Sequence, residues 1–236
     1  MKKFLLTLAA IAAMLPSARA DEGMWMLPLL EKINSDALRN LGSRLSPDQI
    51  YSINHSSIKD AVVQFGGGCT GEIISGSGLL VTNHHCGYGS IQALSSEEHN
   101  YLEDGYWASS RSEEIPVPGL SVKFLQKMTD VTGKVKDEKS ADALIAKAVK
   151  ENPHCTAQIV SFFNDNVQYL VIYKVYHDVR FVGAPPAASG KFGGDTDNWM
   201  WPRHTCDFSM FRVYAGADNE PADYSESNVP MVPRQF

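Results

Sequence analysis

Residues 69–88 read CTGEIISGSGLLVTNHHCGY. Thr70 to Ser75 and Leu79 to Asn83 are strand-like runs joined by Gly76-Ser77-Gly78, a hairpin turn signal. The second run leads directly into His84, His85 and Cys86, so the hairpin reading sets a histidine pair at a strand end. Cys69 stands at the start of the neighbouring strand. If Cys69 and Cys86 bridge, the hairpin end that carries His85 is held covalently. A general base needs that, because a small displacement of the imidazole disrupts proton transfer. The four cysteines, Cys69, Cys86, Cys155 and Cys206, allow three connectivities, and their spacing alone does not choose among them.

Two plainer readings compete. His84, His85, Cys86 and Cys69 have the donor types of a zinc site, but neighbours on an extended strand point to opposite faces and do not readily share one ion. The histidine pair can also be structural, since histidine is often partly buried without chemistry.

Outward from the hairpin, short strands dominate. Ala61 to Phe65 ends at Gly66-Gly67-Gly68; Leu120 to Gln126 alternates like a strand; Gln158 to Phe163 and Gln168 to Val175 flank Asn164-Asp165-Asn166; Val179 to Val182 and Phe208 to Tyr214 follow. Helical spacing appears over Glu22 to Leu41, where Pro28 should sit in the first turn or kink the helix. Ser46-Pro47-Asp48-Gln49 is a capping box, and Ser140 is positioned to cap a helix over Ala141–Glu151. Residues 95–119 are polar and end in prolines, which predicts a surface excursion, and Pro185 to Thr196 reads as a glycine-rich loop. The pattern is mainly β, a barrel or sandwich with an N-terminal helix and a few short helices.

The chain has 236 residues with 21 Lys+Arg and 27 Asp+Glu, a net charge of −6. Met1–Ala20, MKKFLLTLAAIAAMLPSARA, holds three of the positive charges and no acid, so the rest balances 18 against 27, or −9. Such an acidic body lacks the footprint of a nucleic-acid or anionic-membrane binder. The N-terminal stretch has a lysine-led, short apolar core and the triplet Ala18-Arg19-Ala20, which predicts a bacterial secretory signal peptide over 1–20 and a periplasmic or secreted body over 21–236. Its apolar run is too short to span a bilayer. After cleavage no membrane association is expected.

A histidine base needs a carboxylate on its second ring nitrogen. GDTDNWMWPRHTCDFS, residues 194–209, supplies three aspartates. Asp207 opens an apolar strand, where a buried orienting carboxylate would sit. Asp195 and Asp197 lie in a glycine-rich loop and read as turn formers. Trp201 reads as core packing.

The motifs FGGGCTGEIIS, GLLVTNHHCGYG, EHNYLEDGYWA, VGAPPAASGKFGGDTDNWMWPRHTCDFSMFRVYA and the tail around Asn228-Val229-Pro230 closely resemble the bacterial dipeptidyl-peptidases seven and eleven. Base histidine directly before a disulfide cysteine is also the arrangement of trypsin-like serine proteases. The resemblance implies an exported serine exopeptidase with a chymotrypsin-like double-barrel catalytic domain, of which 21–236 is the N-terminal part carrying the first barrel, ending before the helical domain and second barrel. By it, His85 and Asp207 match the catalytic histidine and orienting aspartate. Cys69 and Cys86 match the disulfide, and Asn198 and Trp199 match residues that hold the substrate's free amino end. Oligopeptides are the implied substrates, no metal or organic cofactor is needed, and full-length relatives form homodimers. The family usually carries glycine where this chain has Cys206. A side chain there either crowds the acid or pairs with Cys155.

No serine after Asp207 has the glycine-flanked setting of a nucleophile. Ser209 lies on the strand, and Ser225 and Ser227 flank Glu226. Ser77 reads as the hairpin turn, and Ser189 precedes Asp207. The expectation is therefore a region lacking its nucleophile and inactive alone, with an apolar face left for a second barrel. The alternatives are a trypsin-like endopeptidase and a noncatalytic binding or scaffold protein built on a degenerate protease barrel.

Overall fold

The β-branched and aromatic runs form one antiparallel sheet in a computed structural model that describes residues 25–190 and 205–233. The predicted signal peptide, Asn198, Trp199 and Trp201 lie outside the described residues.

The helical stretch before residue 42 is less regular than its spacing predicts. A 3-10 turn (Leu27–Leu29) with Pro28 in its first turn passes into a π turn (Leu30–Asn34) and then α1 (Ser35–Asn40). Pro28 has no N–H for a regular ladder, and Asn34 and Ser35 compete for backbone groups. The capping box behaves as written in the sequence. Gln49 donates its backbone N–H to Ser46 Oγ at 3.2 Å and accepts from the Ser46 N–H at 2.8 Å, starting α2 (Pro47–Ile50).

β1 (Val62–Phe65), β2 (Cys69–Ile73) and β3 (Leu79–Thr82) follow as an antiparallel meander, as the hairpin reading expects. Then the readings part. His84 and His85 are not on the strand but open a helix, α3 (His84–Leu94).

The 95–119 stretch is not merely a surface excursion. It holds α4 (Tyr101–Asp104), β4 (Tyr106–Trp107) and β5 (Ile115–Pro116), and it buries Leu102, Glu114 and Val117. Isolated buried anchors in a polar context leave no periodic signal, which explains the misreading.

β6 (Val122–Asp130) leads to α5 (Glu138–Glu151), which starts earlier than Ser140 predicts. Asp137 is the N-cap, accepting the Ser140 N–H at 2.8 Å, and Ser140 returns the contact from the third helical position. β7 (Cys155–Phe162) and β8 (Val167–Tyr176) pair around a turn with positive φ at Phe163, Asn164 and Asp165. β9 (Asp178–Ala184), α6 (Ala187–Gly190), β10 (Ser209–Ala215) and β11 (Val229–Pro230) complete the described elements.

The strand order is β4-β9-β10-β3-β2-β1-β6-β8-β7, with β11 on β10 and β5 on β9. Only His177 separates β8 from β9, so the path from β9 round to β8 returns to the same stretch of chain and the sheet wraps around one core. Val63, Phe65, Leu80, Val122, Phe181 and Phe211 fill that core from five strands around the ring, all nearly inaccessible to solvent. This is a single β-barrel. Beyond it, β8 carries β7 on its outer edge, paired from Val167 to Lys174. There Leu170 and Ile172 face α5, while the alternate residues Tyr169 and Val171 pack with Met26 on the other side.

The polar tail is tied down by buried charge. Asp178 is hydrogen-bonded by Arg180 at 2.8 and 3.0 Å and by the Asn228 amide at 2.8 Å, and Arg180 lies 3.7 Å from the centroid of Tyr214. Glu114 accepts from Arg212 Nε at 2.8 Å and from the Tyr214 hydroxyl at 2.7 Å.

Candidate active site

The barrel places the expected pair at the junction of β3, α3 and β10. Thr82 closes β3 with its hydroxyl on the Thr70 carbonyl at 2.7 Å, and Asn83 takes extended angles as the N-cap of α3. Its side chain does not cap the helix it precedes. Instead the Asn83 amide reaches across to Asp207, donating to Oδ2 at 3.1 Å and to the backbone carbonyl at 3.2 Å.

Asp207, two residues before β10, does the capping instead. Its Oδ1 accepts the backbone N–H of His85, the second residue of the helix, at 3.0 Å, and its Oδ2 sits 2.8 Å from His85 Nδ1. Three donors therefore converge on one carboxylate. Burial by itself pushes the Asp207 carboxyl up, but the bonds from the His85 backbone and ring, the imidazole charge and the Asn83 amide outweigh it and hold it below its ordinary value. The carboxylate is ionised at neutral pH, so Nδ1 must carry the proton it donates. That leaves Nε2 as the basic nitrogen. The His85 side chain is 49% exposed and the Asp207 side chain 11%. The acid is enclosed and the base faces solvent.

Neighbouring contacts fix this geometry. Cys86 is bonded to Cys69 at the start of β2, with Cα atoms 6.1 Å apart, so the residue after His85 is tied to the barrel wall. Ser209, fully buried on β10, donates to the Asn83 carbonyl at 3.0 Å. Gly87 lies so close to β10 that an added Cβ would stand 2.6 Å from Ser209 Oγ. Gly190 is pressed as tightly on the other histidine, where a Cβ would meet His84 Cγ at 2.7 Å.

His84 is buried, with its ring 6.3 Å from that of Tyr88, whereas His85 faces outward to Asp207. The two imidazoles occupy different surroundings because helical neighbours diverge by about 100°, not because of strand alternation. Among the described residues no three His, Cys, Asp or Glu side chains converge as a metal site. Cys155 and Cys206 are both free thiols. Cys206 is exposed, and its backbone N–H donates to the Ser189 carbonyl at 2.9 Å.

Asn83 and Ser209 are the site residues that sequence reasoning misses. Asn83 reads as the last residue of a strand and Ser209 as one residue of the β10 run, so neither carries a local signal.

The match to the peptidase S46 family extends over residues 20–236. The chain belongs to the peptidase S46 family. It is 53% identical to dipeptidyl-peptidase 7 of Phocaeicola vulgatus, an alignment covering 98% of this chain and 35% of that protein. The Asp/Glu-specific dipeptidyl-peptidase of Porphyromonas gingivalis is 45% identical over 100% of this chain and 35% of its own length. The crystal structure of Porphyromonas endodontalis DPP11 in complex with dipeptide Arg-Glu superposes with a TM-score of 0.84 at 44% identity, covering 92% of this chain and 34% of that one. This S46 chain thus spans about a third of the length of the curated relatives it matches.

Proposed function

We propose that, in the full-length protein, this S46 region supplies the base and orienting acid of a serine dipeptidyl-peptidase that releases dipeptides from the free N-termini of oligopeptides. One observation carries the reading: both oxygens of Asp207 are engaged by His85, through the ring at 2.8 Å and the backbone at 3.0 Å. That contact fixes the tautomer and the ring plane together, as general-base catalysis requires.

A serine hydroxyl from the remainder of the protein attacks the carbonyl carbon of the second peptide bond as its proton passes to His85 Nε2. The imidazolium is stabilised by Asp207 and returns that proton to the departing amine, leaving the dipeptide esterified to the serine. Water, deprotonated by the same nitrogen, then releases the dipeptide and restores the hydroxyl. Asn198 and Trp199 hold the substrate ammonium in this proposal. Residues 1–20 direct export to the periplasm or beyond, which agrees with the oxidised Cys69–Cys86 pair.

The test uses purified full-length protein and a tetrapeptide with a free or acetylated N-terminus. The proposal expects dipeptide release from the free peptide and at least a hundredfold loss on acetylation. Equal cleavage of both would show an endopeptidase, and cleavage of neither would sink the enzymatic reading.

A further inference from the structure

Asn83 stands at the N-cap of α3, and its backbone serves the helix in the ordinary way. Its carbonyl accepts the N–H groups of Cys86 and Gly87, each at 3.2 Å, and the Ser209 hydroxyl at 3.0 Å. Its side chain does something else. An asparagine at an N-cap normally turns its amide oxygen onto the second or third N–H of the helix. Here the second N–H, that of His85, goes to Asp207 Oδ1 at 3.0 Å. The two side chains have exchanged tasks: Asp207 caps the helix, and Asn83 gives its amide to Asp207.

The amide nitrogen reaches two atoms of one residue, Asp207 Oδ2 at 3.1 Å and the Asp207 backbone carbonyl at 3.2 Å. Both are acceptors, so the NH₂ end of the amide must face them. Tying a carboxylate to its own main chain through one nitrogen fixes its rotation about both side-chain bonds. Oδ2 is also the oxygen that meets His85 Nδ1. Among the described residues the carboxylate has three donors, and the other two both belong to His85. Asn83 is thus the contact that refers the acid to something other than the base it orients. Ser209 completes the link: two residues after Asp207, it holds the Asn83 carbonyl while the Asn83 amide holds Asp207.

Resting on the proposed dipeptidyl-peptidase reading, we infer that Asn83 is a positioning residue of the reaction, whose amide holds the Asp207 carboxylate in the plane from which it orients His85. Asn83 acts through Asp207 and not on the reacting atoms, so its removal lowers turnover and leaves substrate binding alone. Helix stability is a separate matter, because the Asn83 side chain makes no capping bond. Serine at this position can cap the helix, but its side chain is one bond shorter and ends short of Asp207.

The test uses the full-length enzyme, a dipeptidyl arylamide and three substitutions. Asn83→Ala and Asn83→Ser should each lower kcat about tenfold or more, the scale of a misaligned catalytic group, with KM within about twofold. Asn83→Ser should unfold in urea no earlier than the unsubstituted enzyme; if Asn83 only caps the helix, serine restores kcat as well. Asn83→Asp keeps the shape and the capping ability but sets a second carboxylate against Asp207 in place of a donor. His85 is the charged group that acts on Asp207, and the added negative charge favours its imidazolium. The acid limb of the kcat/KM profile should therefore move up by about one pH unit. The same rise, followed by NMR on isotope-labelled His85 in the same variant, needs no turnover. Either Asn83→Ala or Asn83→Ser keeping more than about half of kcat, or an Asn83→Asp imidazole that titrates where the unsubstituted one does, would overturn the inference. If the unsubstituted enzyme leaves the arylamide intact, the proposed function fails instead, and the imidazole titration still decides whether Asn83 acts on the pair.

Discussion

The carboxylate of Asp207 caps the helix from which His85 projects, accepting the His85 backbone N–H at 3.0 Å while it holds the ring Nδ1 at 2.8 Å. Acid, base and helix start are thus one unit, although 122 positions separate the two residues in sequence. The positive end of the helix macrodipole favours the anionic carboxylate there, adding to the three hydrogen bonds.

The first consequence concerns stability and pH. The Asp207 carboxyl titrates lower in the folded chain than in the unfolded one, so its contribution is fully present above the unfolded carboxylate range. It is lost as pH falls through the lower folded value. Asp207→Ala should therefore lower the urea midpoint at neutral pH by a helix-cap loss of about 1–2 kcal/mol. Its deficit relative to the unsubstituted chain should shrink below about pH 4. A deficit that stays constant down to pH 2 would contradict the coupling.

Tyr214 gives the opposite sign at the alkaline end. Burial first, then its bond to Glu114 and that residue's charge, push its pKa up to about 12. Because the folded chain holds this proton more tightly, the contribution is intact below about pH 10 and disappears between there and about 12. Tyr214→Phe should flatten the alkaline fall in thermal midpoint over that window. An unchanged slope would place the titrating group elsewhere.

Glu114 tests the reinterpretation of 95–119. It is buried, and it faces the Arg212 guanidinium at 2.8 Å and the Tyr214 hydroxyl at 2.7 Å. Glu114→Ala leaves a buried guanidinium without its carboxylate, which should cost about 3–5 kcal/mol in chemical denaturation. A loss under about 1 kcal/mol, the level of a surface pair, would restore the view of this stretch as a surface excursion.

The disulfide should act on both stability and alignment. Closing a loop of this size is worth about 3 kcal/mol. The double substitution Cys69→Ser, Cys86→Ser should show that loss by urea unfolding, and in the full-length enzyme it should lower kcat more than it raises KM. An effect on KM alone would mean that the bridge does not hold the imidazole.

Much of the barrel is legible in the sequence because its strands advertise themselves locally. The Gly76-Ser77-Gly78 turn, the alternation in β6 and the Asn164-Asp165-Asn166 turn each need only their own neighbours. Helix α3 is not legible that way. Gly87 and Gly89 weaken it, its first turn holds no acid, and its cap comes from Asp207, distant in sequence and just ahead of β10. Gly87 is set by closeness to Ser209, a tertiary constraint invisible to periodicity. The pairing of His85 with Asp207 was readable only by chemical role and resemblance, since 122 positions separate the two. The part played by Asn83 was hidden because its side chain bonds Asp207 instead of the helix that it precedes.

The account turns on His85 and Asp207 acting as one unit, and a double-mutant cycle on the full-length enzyme measures that directly. His85→Ala and Asp207→Ala should each lower kcat for a dipeptidyl arylamide by about 10⁴-fold, with the double variant no slower than His85→Ala. Losses that multiply in the double variant, or an Asp207→Ala enzyme within tenfold of the unsubstituted rate, would contradict it.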